Sequence, residues 1–122
     1  YDPFLGSATT AIECEELERN IIGIDIQKSL VDRAKELVPS EKIHAHFGVG
    51  DSSSEETLKD VEKILKHRDI DGVDLAILHP PYFDIIRFSD KAEDLSNTEN
   101  IPQFLASFGK VIHNTHKILK KK

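Results

Sequence analysis

The stretch Asp2-Pro3-Phe4-Leu5-Gly6-Ser7-Ala8-Thr9-Thr10 constrains this chain more than any other. It opens where a buried strand would end and passes at once into a helical pattern. The small residues Gly6, Ser7 and Ala8 let a ligand approach the backbone closely. A helix N-terminus adds unpaired N–H donors and a partial positive charge, which suit a carboxylate or a phosphate. Taken alone, such a turn is equally a tight turn without chemistry. A second stretch, His79-Pro80-Pro81-Tyr82, falls where a later strand of the same sheet should end.

Between the two, apolar runs and helical patterns alternate. The pattern predicts a first helix from Thr9 to Asn20, capped by Ser7 or Thr9. Glu13, Glu15, Glu16 and Glu18 form a solvated acidic face near its start. Ile21 to Ile26 is β-branched and apolar, as in a strand buried on both faces. Ser29 with Asp32 reads as a capping box for a helix through Leu30, Ala34, Leu37 and Val38, stopped by Pro39. Ile43, Ala45 and Phe47 alternate with His44 and His46, the mark of an edge strand with a wetter face. Gly48 to Asp51 reads as a turn. Ser53 or Ser54 opens a helix with the stripe Leu58, Val61, Ile64 and Leu65.

Asp71-Gly72 then turns the chain into a strand from Val73 to Leu78. Ser89 to Asn100 is a long polar loop. Asn100 caps a last helix with Pro102 in its first turn. Ile101, Phe104, Leu105, Phe108, Val111, Ile112, Thr115, Ile118 and Leu119 share its apolar face. Strands separated by helices impose a parallel sheet. The expected fold class is therefore α/β, a Rossmann-like doubly wound sheet with its crevice at the carboxyl ends of the strands.

Composition narrows the function. The 122 residues make at most one domain, with 39% hydrophobic and 31% charged residues. No run reaches the roughly 18 apolar residues of a membrane span. The single Cys14 rules out an internal disulfide and fits a reducing cytoplasm. The net charge of −6 disfavours phosphate contacts within these residues. Only Lys117, Lys120, Lys121 and Lys122 concentrate positive charge. His44 with His46, and His113 with His116, share faces but read as surface histidines, so no metal is expected.

Asp25 lies 19 residues after Gly6, a spacing that places an acid against the ribose of an adenosine-type ligand. The alternative is a strand-end Asp that caps the next helix. The two prolines after His79 stiffen the backbone and remove two N–H donors, leaving carbonyl acceptors toward the crevice.

Asp2 to Thr10 resembles the cofactor motif of amino-methylating DNA methyltransferases, Asp-Pro-Phe-x-Gly-Ser-Gly-Thr-Thr. His79-Pro80-Pro81-Tyr82 is similar to their catalytic (Asp/Asn/Ser)-Pro-Pro-(Tyr/Phe/Trp). The resemblance runs from Asp2 to about Leu119 and implies S-adenosylmethionine as cofactor. It implies cofactor contacts from Asp2, Pro3, Phe4, Gly6, Ser7, Thr9 and Asp25. It also places Asp51 near the adenine, although a turn-capping Asp is an equal reading. His79 and the carbonyl of Pro80 would accept the hydrogens of an exocyclic amine, with Pro81 rigidifying the motif. Tyr82 would stack on a flipped base. Asp84 to Ser89, including Arg87, would continue the wall.

Gly6-x-Ala8-x-x-Ala11 lacks the second glycine of a dinucleotide site, whereas a methionine carboxylate demands less. Two positions depart from the family. Ala8 replaces a glycine, and His79 replaces Asp, Asn or Ser. A neutral imidazole accepts a hydrogen; a protonated one does not.

The family sheet has seven strands. These residues are expected to supply the tail of the first and then the second, third and fourth, forming a partial catalytic domain over 1–122. Other segments or oligomerisation would complete the fold. The gap between the motifs has no room for target recognition, which is expected elsewhere. The implied activity is methyl transfer to adenine N6 or cytosine N4 of double-stranded DNA, as in restriction–modification. An RNA or protein amino-methyltransferase, or a non-catalytic nucleotide-binding subunit, remains open.

Overall fold

The computed structural model describes residues 1–81, 95 and 100–121. In order, these form α1 (Thr9–Glu16), β1 (Ile21–Asp25), α2 (Lys28–Leu37), β2 (Ala45–Val49), α3 (Glu55–His67) and α4 (Ile101–Ile118). β1 and β2 pair in parallel, Ile21 opposite Ala45 through Asp25 opposite Val49. The extended segment at Tyr1 and Asp2 joins β1 on its other side through a parallel bridge between Asp2 and Gly23. Its outer edge meets the 73–77 segment: Tyr1 N donates to Leu75 O at 2.8 Å, and Ile77 N to Tyr1 O at 2.9 Å. The chain thus runs across β2, β1, Tyr1–Asp2 and 73–77, with the strand order reversing at Asp2. That reversal is where an α/β sheet opens its crevice.

Alternation along β1 sends successive side chains to opposite faces. Ile21 packs with Leu5, Ala8, Ala11, Ala34, Val38 and Ile43, the layer of α1 and α2. Ile22 and Ile24 pack with Leu58, Val61, Leu65 and Ile118, the layer of α3 and the end of α4. Helices cover both faces, as in a doubly wound sheet. Each fully buried aliphatic side chain of these layers contributes roughly 1.5–3 kcal/mol.

Several local expectations change. α1 stops at Glu16 rather than Asn20 because Glu18 adopts a left-handed φ of 52°. Glu18 N then donates to Glu15 O and Arg19 N to Cys14 O, a Schellman closure made without the usual glycine. The acidic residues therefore sit away from the first turn, which holds none. The N-cap of α1 is Ala8, at φ 67°, with no side-chain cap. α2 likewise begins after Gln27, without the Ser29 capping box.

β2 extends through Gly48 and Val49, so the turn starts later than expected. Val73 to Leu78 is extended but forms no regular strand. Among the described residues it makes single bridges, to Tyr1 and, at Val73, to Leu119. α3 and α4 begin as expected, with Ser54 accepting from Thr57 N and Asn100 from Gln103 N. The apolar face of α4 is buried toward its end. Val111, Thr115 and Ile118 are buried, whereas Ile101, Leu105 and Ile112 are exposed.

No helix among the described residues is long and apolar enough to cross a membrane.

Candidate functional site

The carboxyl ends of four extended segments converge on one cavity of about 320 Å³. The Asp2–Thr10 turn forms its floor, and Asp25, Ile26 and Gln27 follow β1 along one wall. Gly50 to Ser53 follow β2, while His79, Pro80 and Pro81 follow the 73–77 segment. Leu95 and Val111 close the side beneath α4. The two motifs, far apart in sequence, therefore share one space.

The turn is built by its own residues. Leu5 N donates to Ile24 O, tying the turn to β1. Gly6 takes a φ of 53°, a left-handed conformation that glycine adopts without steric cost. Its amide donates to Oδ2 of Asp25 at 2.8 Å, while Oδ1 of Asp25 accepts the Gln27 amide at 2.9 Å. Asp25 thus both holds the turn and braces the start of α2. Each oxygen retains acceptor capacity for a ligand hydroxyl.

Asp2 is buried and accepts the Phe4 amide at 2.9 Å. Burial pushes its carboxyl above the usual carboxylate range, against the lowering effect of hydrogen bonds from Thr10 and Phe4. Ser7 and Thr9 lie exposed at the rim with their hydroxyls 3.2 Å apart. Neither caps α1, so the first amides of that helix have no side-chain cap. Pro3 is buried, and the Phe4 ring lies 6.2 Å from that of Phe108 on α4.

Asp51 is engaged in a local turn. Its Oδ1 accepts both the amide of Ser53, at 2.9 Å, and its hydroxyl, at 2.7 Å. His79 is exposed, while Pro80 and Pro81 are half-buried. Tyr82, like residues 83–89, lies outside the described residues.

Sequence reasoning overlooked three supports. The buried Ser52 hydroxyl donates to Pro3 O at 2.7 Å. The Tyr1 phenol is pushed up to about 12 by burial, opposed by its hydrogen bond with Ser52. Asn114 of α4, also buried, donates to Ser52 O and Ser54 O at 3.1 and 3.2 Å. A polar residue at a helical core position was the available signal, hidden by the apolar stripe around it.

Among the described residues, the histidines join no cluster of three or more metal-ligating side chains. His46 Nε2 lies 3.3 Å from a guanidinium nitrogen of Arg68. Because arginine only donates, the imidazole nitrogen accepts there. Burial, and then Arg68, lower the His46 pKa. His44, His113 and His116 are exposed.

With this geometry in place, the DNA methylase family model matches residues 1–36. The amino-terminal third is similar to DNA methylases. Type II methyltransferase M.HpaI of Haemophilus parainfluenzae is 50% identical over 40 residues, 33% of this chain and 13% of that protein. Type II methyltransferase M.SmaI of Serratia marcescens is 43% identical over 37 residues, 30% of this chain and 13% of that protein. The chain thus aligns with about an eighth of each relative. No solved structure matches. The methylase-like segment contains the Asp2–Thr10 turn and Asp25; Asp51 and His79 to Pro81 lie beyond it.

Proposed function

We propose that these residues form part of the catalytic core of a DNA methyltransferase that modifies an exocyclic amine, adenine N6 or cytosine N4. The observation that carries this reading is the convergence of the Gly6 turn, Asp25, Asp51 and His79-Pro80-Pro81 on one cavity, within and beyond a methylase-like segment. A cavity of this size is at the lower end of the range for small-molecule sites, roughly 300–1,000 Å³.

The residues fit S-adenosylmethionine. The start of α1, without a side-chain cap, suits the methionine carboxylate. Asp25 would offer acceptors to the ribose hydroxyls, and Asp51, across the cavity lining, would meet the adenine. When bound, the cofactor supplies an electrophilic methyl group on a sulfonium. His79 and the carbonyl of Pro80 would accept hydrogen bonds from the two N–H groups of the target amine and so orient its lone pair for attack; one of those protons is lost as the new N–C bond replaces the S–C bond. Pro81 would hold the carbonyl in place, and Tyr82 would supply the ring that stacks on the base. A cytoplasmic location and restriction–modification belong to the same reading.

The test is methyl transfer from labelled S-adenosylmethionine into double-stranded DNA, with RNA and protein as controls. Labelled N6-methyladenine or N4-methylcytosine is the expected product. Label confined to RNA or protein would overturn the choice of DNA. Preferential binding of NAD would overturn the methyltransferase reading.

A further inference from the structure

The loop after β2 is held from two sides by groups that the proposed chemistry does not use. Asn114 sits one turn beyond Val111, which lines the cavity, on the buried face of α4. It is 7% exposed, and its amide nitrogen donates to the carbonyls of both Ser52 and Ser54. A buried amide costs stability unless its hydrogen bonds are made. On the other side of the loop, the Ser52 hydroxyl is bonded to Pro3 O. One relay therefore runs from α4 through Ser52 to the Asp2–Thr10 turn. It spans the side of the cavity on which Asp51 stands.

We propose that Asn114 is a positioning residue. It sets the distance between the Asp51 loop and the Gly6 turn, and so the affinity for the nucleoside part of the cofactor. This rests on the function proposed above. Asn114 touches no ligand itself; it acts through Ser52. The two carbonyls it engages flank Ser53, whose amide and hydroxyl fix the Asp51 carboxylate. Release of Asn114 frees the loop to shift, and Asp51 shifts with it.

The experiment is calorimetric titration of the folded protein with S-adenosylhomocysteine, for the parent, Asn114→Leu, Ser52→Ala and the double variant. Each single variant should bind roughly tenfold more weakly, about 1.4 kcal/mol. The double variant should bind little worse than either single variant, because one relay is broken twice. Amide exchange without ligand should rise at Ser53 and Ser54, while Val61 and Leu65 in α3 keep their protection. A merely structural loss would instead raise exchange throughout α3 and give additive effects.

Parent-like affinity in Asn114→Leu, or additivity, overturns the proposal alone. Absence of binding by the parent overturns the functional reading and this proposal with it. Should Asn114→Leu fail to fold, Ser52→Ala decides from the other end, and parent-like affinity there overturns the relay.

Discussion

The amide of Gly6 donates to Oδ2 of Asp25 at 2.8 Å across 19 residues of sequence. The glycine turn and the strand-end acid are therefore one unit, not two independent contacts on a ligand. Asp25→Ala removes the acceptor of both the Gly6 and Gln27 amides. It should weaken S-adenosylhomocysteine binding by roughly 1–3 kcal/mol. Asp25→Asn keeps one acceptor oxygen and should fall between the parent and the alanine variant. Calorimetry checks the order; unchanged affinity in Asp25→Ala would remove Asp25 from the site.

Asp2 should make stability depend on acid. Its carboxyl is held above its ordinary value of 3.8, chiefly by burial, so the folded state binds the proton more tightly than the unfolded one. Stability then falls as pH rises from 3.8 through the raised value, and is regained in acid. Asp2→Asn keeps an oxygen acceptor for the Phe4 amide and carries no charge. It should be more stable than the parent at neutral pH, with the difference shrinking toward pH 3.8. Urea denaturation across that range measures the difference. A gap that widens in acid would refute the assignment.

Gly23 and Gly109 should respond oppositely to alanine. A Cβ on Gly23 would stand 2.7 Å from Leu5 Cδ1 and 3.1 Å from Phe47 Cδ1. Both neighbours are packed, so overcrowding should cost roughly 1–3 kcal/mol. Leu5 precedes Gly6, so cofactor affinity should fall as well. A Cβ on Gly109, inside α4, meets nothing within 4 Å. There alanine should stabilise by about 0.5–1 kcal/mol through the lower entropy of the unfolded chain. Thermal melts of the two variants check the contrast.

What the sequence revealed, and what it hid, divides along physical lines. Period and residue type were sufficient for β1, for the Ser54 and Asn100 caps, and for the parallel α/β layering, because burial and side-chain oxygens write those features directly. The end of α1 was hidden because Glu18, not glycine, takes the left-handed position. Ala8 does the same at the start of α1, so the hydroxyls on either side of it suggested a cap that does not form. The Val73–Leu78 run has strand composition, but strand structure depends on neighbours, and among the described residues it meets single residues on its edges. Spacing alone pointed to Asp25, which lines the cavity and accepts the Gly6 amide. Asn114 escaped because its partners are backbone carbonyls sixty residues away, and carbonyls carry no signature in sequence.

His79 is where the proposed chemistry is most exposed to test. It stands at the cavity with Pro80 and Pro81, at the point where the resembled motif uses Asp, Asn or Ser. Each of those side chains offers an oxygen acceptor; an imidazole offers one nitrogen, and only while neutral. Removal of an acceptor that acts in the transition state should cost roughly 10²-fold in turnover. His79→Ala should therefore lose about that much methyl transfer into DNA at saturating cofactor. His79→Asn and His79→Asp should retain more. Tyr82→Ala should weaken base stacking by on the order of 1–3 kcal/mol, and Tyr82→Phe should preserve it. Cofactor affinity should change little in any of these variants, which separates a loss of chemistry from a loss of binding. If His79→Ala methylates DNA at the parent rate, the acceptor role belongs to another group and the reading of this motif is wrong.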